Sequence, residues 1–280
     1  MYRILFIFLF INNAVLSQNA DFNFAFLTDI HLNNKAEDCF LGFETAVKHA
    51  KNNGSHFLIT GGDNVDIDVL GNKQDEAEEL YKKLKNTMNK VDIDIYPTIG
   101  NHDRFMDLDK NSEYFNEGMF EKYITKSYYS FDYKDWHFIV LNSAQTCKGK
   151  YCIDQQQILW LNKDLQKLSP ETPIVVSAHI PFLSVYYPAL EGKYKATDTF
   201  SNFKEVWDMF ENYNLKLVLQ GHMHLYEEIK VKDVQFITGG AVSASWWGGP
   251  YHGTEEGYLL VKVQGDSFAW EYIDYGWEAK

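Results

Sequence analysis

The chain contains the stretch Asn23-Phe24-Ala25-Phe26-Leu27-Thr28-Asp29-Ile30-His31, in which an apolar strand leads into a carboxylate and an imidazole. In four later segments, an apolar strand again leads directly into metal-binding side chains. They are Phe57-Leu58-Ile59 before Gly62-Asp63-Asn64, Tyr96-Pro97-Thr98-Ile99 before Gly100-Asn101-His102-Asp103, Ile174-Val175-Val176 before His179, and Leu217-Val218-Leu219 before Gly221-His222-Met223-His224. Because loops at the carboxyl ends of strands converge in α/β sheets, the sequence predicts that these segments meet at one site.

The donor groups of these segments are imidazoles, carboxylates and a carboxamide, with no cysteine among them. Such a mixed set suits Fe, Mn, Zn or Co and differs from the thiolate sets of closed structural zinc sites. Each segment alone is weak, since Gly-Asp-Asn is a common turn and a lone histidine such as His179 is more often a core residue. Five segments in a fixed order predict a binuclear metal centre.

Taken as a set, the segments resemble the signature of the calcineurin-like metallophosphoesterase superfamily over roughly residues 22–272. The resemblance implies two divalent or mixed-valence metal ions. The ligands it implies are Asp29, His31 and His224 for one ion, Asn101, His179 and His222 for the other, and Asp63 as the bridge.

The resemblance also implies which residues act on the substrate. His102 is expected to face the phosphate and the leaving oxygen rather than a metal, and Asp66 to orient its ring, while Asn101 also contacts the substrate. A solvated loop carboxylate is the alternative for Asp66. Asp103 and Arg104 are expected to be solvated loop residues without a role in the site.

The sequence departs from the motifs of two branches of this superfamily, and these departures narrow the expected function. Ser/Thr protein phosphatases resemble Gly-Asp-x-Val-Asp-Arg-Gly, whereas this chain has Ile67 in place of the arginine. Purple acid phosphatases place a tyrosine ligand where Asp66 stands and a residue other than histidine at position 31. The chain is more similar to the branch of cyclic-nucleotide phosphodiesterases and other small phosphodiesterases and phosphatases.

The expected reaction follows from charge. An anionic phosphate ester repels hydroxide, and two metals neutralise the phosphoryl oxygens and generate a bridging hydroxide that attacks in line. A protonated His102 would assist the leaving group, a role worth about 10² to 10⁴ in rate. We therefore expect hydrolysis of a small phosphodiester, with a nucleotide as one candidate. The alternatives are a phosphomonoesterase with the same site and a non-catalytic binding protein of this fold.

Two insertions are candidate substrate walls. The glycine-rich segment Gly239–Pro250 carries Trp246 and Trp247, which could stack on a nucleobase or another flat group. The alternative is that one tryptophan belongs to the core and the other to a lid. The second candidate is Phe182–Pro188 together with the polar stretch that follows it to Thr199.

The composition limits which binding partners and how many domains are expected. The net charge of −13, with scattered Lys and Arg, argues against a groove for long nucleic acids and leaves a small-molecule phosphoester as the expected substrate. The 280 residues are 45% hydrophobic, and the motifs are spread through the chain. We expect one domain over residues 18–280, and no sequence feature specifies an oligomeric state.

The N-terminus predicts export. Arg3 precedes the apolar run Ile4–Ile11, and Val15-Leu16-Ser17 is a small-residue cleavage site, so residues 1–17 are predicted to be a signal peptide. The run is too short for a bilayer, which needs about 20 residues. The mature protein is therefore expected to be secreted or periplasmic without a stable membrane anchor. Cys147 and Cys152 are predicted either to form a disulfide or to remain free thiols.

The pattern of apolar residues predicts the fold class. Helical periodicity alternates with strands in the first two thirds, and antiparallel strands follow. This order suits an α/β fold, a four-layer α/β/β/α sandwich of two mixed sheets flanked by helices, which the resemblance also implies. The predicted helices are 37–53, 73–90, 154–168 and 203–213, and the predicted strands include a hairpin over 128–142 and the segments 226–231, 234–238, 257–263 and 268–273.

Overall fold

The computed structural model describes residues 21–36, 38–195 and 199–279, so the predicted signal peptide, residues 1–17, lies outside the described residues. The strands are β1 (Phe22–Leu27), β2 (Phe57–Gly61), β3 (Asp94–Thr98), β4 (Tyr129–Tyr133), β5 (Trp136–Leu141), β6 (Thr146–Cys147), β7 (Lys150–Tyr151), β8 (Pro173–Ala178), β9 (Asn214–Gln220), β10 (Glu227–Val231), β11 (Val234–Thr238), β12 (Gly257–Gln264) and β13 (Ser267–Asp274). The helices are α1 (Cys39–Asn52), α2 (Gln74–Lys90), α3 (Gly118–Tyr123), α4 (Gln155–Leu165), α5 (Tyr186–Glu191) and α6 (Phe203–Asp208), with a 3₁₀ turn at Asp68–Leu70.

The two large sheets are both mixed. The five-stranded sheet has the order β13-β12-β1-β2-β3, in which β1, β2 and β3 are parallel and β12 and β13 are antiparallel. The six-stranded sheet has the order β10-β11-β9-β8-β5-β4, with a parallel centre and antiparallel edges. A small hairpin of β6 and β7 stands apart.

Alternation along β1 shows how the layers form. Phe22, Phe24 and Phe26 point into the core between the two sheets, while Ala25 and Leu27 pack on the opposite face with α1 and α2. Successive side chains of a strand point to opposite faces, so both faces of β1 are covered.

The six-stranded sheet repeats this arrangement. Phe138 of β5 faces the core between the sheets, whereas Ile139 and Leu141 pack with Leu161 and Leu165 of α4. The structure therefore confirms the α/β/β/α sandwich of two mixed sheets flanked by helices.

The four long predicted helices are present, although α6 ends at Asp208 rather than at position 213. Helices α3 and α5 and the β6–β7 hairpin were not predicted, because they are too short to give a clear periodic pattern. In the part of the chain that the structure describes, no helix combines the length and apolarity needed to cross a bilayer.

The parallel strands bring the motif segments to one edge. β1, β2 and β3 run in the same direction, as do β8 and β9 in the facing sheet. Each of these five strands ends immediately before one of the five predicted segments. Thr98 and Ser177 join the sheets near this edge, with their buried hydroxyls 2.7 Å apart.

Away from this edge, His137 links three elements. Its Nδ1 lies 2.6 Å from Asp132 Oδ1 on β4, and its Nε2 lies 3.1 Å from Asp164 Oδ2 on α4. Burial alone would lower the pKa of His137, but its hydrogen bonds with Asp164 and Asp132 raise it above the usual value. A protonated His137 thus binds helix to sheet.

We predict that this contribution falls with rising pH. The free energy of unfolding gained from a raised histidine pKa is fully present below the unfolded value of about 6.5 and is lost as pH rises through the folded value. At about pH 6, His137→Gln should lower the free energy of unfolding by about 1.5 to 3 kcal/mol, and this difference should shrink at higher pH. Urea unfolding across this range measures it.

The control is Leu159→Ala, which removes an exposed side chain of the same helix α4. It should change the free energy of unfolding by less than about 0.5 kcal/mol at every pH. A His137→Gln difference that grows with pH would contradict the charged contact.

Candidate metal centre

The histidine and carboxylate ligands implied by the sequence lie together in the structure. Asp29, His31 and His224 form one group, and a second group contains Asp63, His179 and His222, each group having its candidate donor atoms within 4.8 Å of one another. Asn101 joins the second group, since its Oδ1 lies 3.2 Å from His179 Nε2. The structure thus places all seven residues at one site, in the two sets that the resemblance implies.

Asp63 lies between the two groups. Its Oδ2 is 3.0 Å from His179 Nε2 and 3.8 Å from His31 Nε2. Its Oδ1 accepts a hydrogen bond from the backbone N–H of His102 at 2.8 Å. This is the position that a bridging carboxylate requires.

Backbone and side-chain acceptors orient three of the rings. His179 Nδ1 donates to the Gly61 carbonyl at 2.8 Å and His224 Nδ1 to the Ala244 carbonyl at 2.6 Å, while His31 Nδ1 lies 2.6 Å from Asp66 Oδ1. Because carbonyls only accept, Nδ1 of His179 and of His224 carries a hydrogen, which leaves Nε2 of each ring as the nitrogen directed inward at a metal.

One contact tests whether this set fits a metal. His31 Nε2 and His224 Nε2 lie 2.8 Å apart, so the two ring nitrogens face each other across the site. Either a proton shared between them or a metal cation beside both satisfies this contact. Together with the buried carboxylates of Asp29 and Asp63, this arrangement fits bound divalent cations.

The charge states of Asp63 and His222 suit metal ligands. Burial alone would raise the pKa of Asp63, but the charges of His179, His102 and His31 hold it well below its usual value. Burial and the neighbouring His179 lower the pKa of His222 to about 4. An ionised carboxylate and a neutral imidazole are the forms that bind metals.

The ligand loops hold an uncommon backbone conformation. Residues with positive φ are rare outside glycine, and they persist where the surroundings fix them. Five of the seven predicted ligands have it: Asp29 (φ 53°), His31 (φ 52°), Asp63 (φ 51°), His222 (φ 72°) and His224 (φ 58°). The site is therefore built into strained turns directly after the strands.

The structure corrects the expected role of Asp66. His102 Nδ1 lies 2.9 Å from Asp68 Oδ1, whereas Asp66 contacts His31. The backbone turns between Asp66 and Asp68, and this turn directs their carboxylates towards different histidines. Burial lowers the pKa of His102, but the hydrogen bond with Asp68 and the charge of Asp63 outweigh it and raise the pKa to about 10.

Asp103 and Arg104 are buried, contrary to the expectation of solvated loop residues. Asp103 accepts hydrogen bonds from the backbone N–H groups of Asn64, Val65 and Gly100 at 2.8 to 2.9 Å. This carboxylate therefore ties the second motif loop to the third. Arg104 donates to the Ala144 carbonyl and anchors the same loop.

The two tryptophans have different positions. Trp246 is 44% exposed and stacks on His224, with ring centroids 4.0 Å apart. Trp247 is buried, its Nε1 donates to the Ile30 carbonyl at 3.0 Å, and its ring lies against Gly42. The prediction that Trp247 contacts substrate is therefore wrong, since its ring is a core contact behind the first motif loop.

A cleft of about 300 Å³ opens beside the ligands. It is lined by Asp63, His102, Tyr187, Lys195, His222, Met223, His224, Trp246 and Tyr251. Tyr151 packs its ring edge-on to His222 at 5.9 Å, from a hairpin closed by the disulfide Cys147–Cys152. Sequence patterns gave no sign of Tyr151 or Tyr251, because neither lies in a motif, whereas Lys195 lies in the polar stretch of the second candidate wall.

The fold and site define an α/β/β/α protein with a candidate binuclear metal centre at the carboxyl ends of its strands. The family model for Calcineurin-like phosphoesterase matches residues 22–226. The chain belongs to this family.

The chain is similar to several known proteins. A 3',5'-cyclic-nucleotide phosphodiesterase from Nostoc sp. is 32% identical over 152 residues, 54% of this chain and 52% of that protein. Purple acid phosphatase 13 from Arabidopsis thaliana is 34% identical over 102 residues, 36% of this chain and 17% of that protein. The chain thus matches about half or less of the length of these relatives.

A solved structure shares the fold. The dimetal phosphatase from Danio rerio has a TM-score of 0.63 and 12% identity, with 91% of this chain and 99% of that chain covered. The likeness supports the architecture described above.

We predict that Gly100→Ala abolishes metal binding. A Cβ at this position would lie 2.2 Å from both the backbone nitrogen and Oδ1 of Asp63, so the bridging carboxylate has to move. Elemental analysis after metal loading should show loss of most metal relative to the wild type.

The control is Gly149→Ala, at a glycine whose added Cβ would meet nothing within 4 Å. It should retain the wild-type metal content. Normal metal loading in Gly100→Ala would show that the position of Asp63 is not critical.

Proposed function

We propose that this chain is an exported binuclear-metal phosphodiesterase that hydrolyses a small phosphodiester, with nucleotides among the candidate substrates. One observation carries the proposal: the Asp63 carboxylate is shared by two buried ligand groups, and the half-buried His102 lies beside it at the cleft. Membership of the phosphoesterase family supports hydrolysis of phosphoric esters.

The ligand groups would hold two divalent cations of the Fe, Mn, Zn or Co class. When bound, such ions neutralise phosphoryl oxygens and lower the pKa of a coordinated water. The residues that would hold them are Asp29, His31 and His224 on one side, Asn101, His179 and His222 on the other, and Asp63 between.

His102 supplies the proton. Its Nδ1–H donates to Asp68, which leaves the Nε2 edge near Asp63, at 4.0 Å from Oδ2. As a water oxygen forms its bond to phosphorus and the ester P–O bond breaks, the Nε2 proton passes to the departing oxygen. The raised pKa of His102 favours the protonated form that this step requires.

An aromatic wall favours an organic ester over a bare phosphate group. Trp246 presents an exposed ring, and Tyr251 stands edge-on to it at a centroid distance of 5.8 Å. Flat groups such as nucleobases stack on surfaces of this kind. The similarity to a cyclic-nucleotide phosphodiesterase supports the same preference.

A phosphomonoesterase is the second candidate, and the similarity to Purple acid phosphatase 13 favours it. Comparing bis(4-nitrophenyl) phosphate with 4-nitrophenyl phosphate separates the two, for protein loaded in turn with Mn, Zn, Fe and Co. Faster cleavage of the diester supports the proposal. A pure, metal-loaded protein that cleaves neither ester would support a non-catalytic binding protein instead.

Export is proposed from the N-terminal sequence and the disulfide. The Cys147–Cys152 pair has a Cα–Cα distance of 5.8 Å, and disulfides persist chiefly in oxidising compartments. We therefore assign the mature protein to the periplasm or the exterior, which detection of Gln18 as the first residue of the exported protein would test.

We predict that His102→Ala keeps both metals and loses most turnover. Removing a general acid typically lowers kcat by about 10² to 10⁴. Metal content is measured by elemental analysis, and kcat is measured with a diester whose leaving group is an alkoxide and therefore needs a proton. Loss of a metal ion in this variant would instead make His102 a ligand, a role compatible with its proximity to His31 and Asp63.

We predict that Trp246→Ala raises KM for a nucleotide diester about 5-fold to 150-fold, because stacking contributes about 1 to 3 kcal/mol per base. An ester with small alkyl groups should be little affected. Trp247→Phe is the control variant at the adjacent position. It should lower the melting temperature of the protein without changing KM. An equal effect of Trp246→Ala on the KM of both esters would show that stacking on Trp246 does not contribute to substrate binding.

A further inference from the structure

Two carboxylates only two positions apart contact different histidines of the site. Asp66 Oδ1 lies 2.6 Å from His31 Nδ1, and its Oδ2 accepts from Asn33 Nδ2 at 3.1 Å. Asp68 Oδ1 lies 2.9 Å from His102 Nδ1. The resemblance placed Asp66 beside His102, and this chain departs from that pattern.

Backbone hydrogen bonds fix the divergence. The Asp66 N–H donates to the Leu32 carbonyl at 3.0 Å, which holds position 66 against the first motif loop. The next N–H, that of Ile67, donates to the His102 carbonyl at 3.1 Å. The chain therefore crosses from the first loop to the third between positions 66 and 67.

The side chain of Ile67 locks this crossing. It is fully buried in the core on the helix side of the five-stranded sheet, and the 3₁₀ turn Asp68–Leu70 begins directly after it. With Ile67 anchored, Asp66 stays beside His31 and Asp68 beside His102. Exchanging the two partners would require pulling a buried apolar side chain into solvent.

We propose that Asp68 is the positioning residue of His102 and that Asp66 instead supports the metal ligand His31. The inference rests on the proposed function, because it assigns Asp68 to the step in which His102 protonates the leaving oxygen. Asp68 accepts the Nδ1–H and fixes the ring so that Nε2 is directed towards the ester. Asp66 fixes the His31 ring with its Nε2 directed towards the ligand group.

The neighbours of His102 agree with this division. Its Nε2 lies 4.0 Å from Asp63 Oδ2, and its ring stands at 70° to the His31 ring with centroids 5.0 Å apart. The side chains of His102 and Asp68 are 27% and 32% exposed, so changing Asp68 leaves the core intact. Asp66 is 12% exposed and offers a matched comparison in the same segment.

The experiment compares Asp68→Ala with Asp66→Ala in the full chain. Metal affinity is measured first, by titrating the metal-free protein with Mn²⁺ or Zn²⁺ alone. Removing an outer partner of a ligating histidine typically weakens metal binding about 10-fold to 100-fold, so Asp66→Ala should weaken one of the two sites. Asp68→Ala should bind both ions as the wild type does.

Turnover is measured second, with two diesters that differ in leaving group. Misplacing a catalytic group by about 1 Å costs up to about 100-fold. Asp68→Ala should lower kcat for an alkyl leaving group about 10-fold to 100-fold. For 4-nitrophenolate, which leaves without a proton, the decrease should be less than about 3-fold, with KM unchanged. Asp68→Glu should restore part of the lost kcat, because its carboxylate can again accept from Nδ1.

Three outcomes would overturn the inference: weakened metal binding in Asp68→Ala, equal slowing of both esters by this variant, or the leaving-group effect in Asp66→Ala. If the wild type binds two metals but cleaves no ester, the proposed function fails separately. The Asp68 contact is then tested by NMR of the His102 ring. Its Nδ1 resonance should shift in Asp68→Ala and stay in place in Asp66→Ala, and the opposite result would refute the assignment.

Discussion

The buried carboxylate of Asp63 is the interaction on which the site depends. It lies within 4 Å of imidazole nitrogens from both ligand groups, and it accepts a hydrogen bond from the backbone of His102. An isolated buried carboxylate would be costly, so its neighbours have to carry compensating positive charge. Histidines supply part of that charge, and two cations would supply the rest. Strand β2 must end at Gly61 and turn sharply at Gly62 for Asp63 to reach this place.

The groups that orient the imidazoles connect the site to both sheets. Gly61, which holds His179, ends a strand of the five-stranded sheet, whereas His179 itself follows a strand of the six-stranded sheet. The Thr98–Ser177 contact joins the same two sheets nearby. Because each acceptor is a backbone carbonyl or the half-buried carboxylate of Asp66, the rings are fixed before any ion binds. The geometry of the centre is therefore a property of how the two sheets pack.

The sequence predicted the layers and the convergence of the candidate ligands at one edge well, because both follow from strong patterns. Strand alternation and helical periodicity specify which faces are buried, and five strand ends specify where donors converge. It did not predict which carboxylate meets His102, since Asp66 and Asp68 are chemically alike and only the anchoring of Ile67 separates them. Similarly, nothing in the pair Trp246 and Trp247 shows which ring turns inward. Asp103 was misjudged because its partners are backbone N–H groups of a distant loop.

The wide separation of the ligands along the chain has a consequence for maturation. Asp29 and His224 are brought together by contacts spanning most of the sequence, and an extended polypeptide has no equivalent of their arrangement. Ions can therefore be acquired only after the two sheets have associated. A polypeptide that crosses a membrane unfolded would leave the cytoplasm without metal, so the ions it finally carries would reflect the supply in the compartment where it folds.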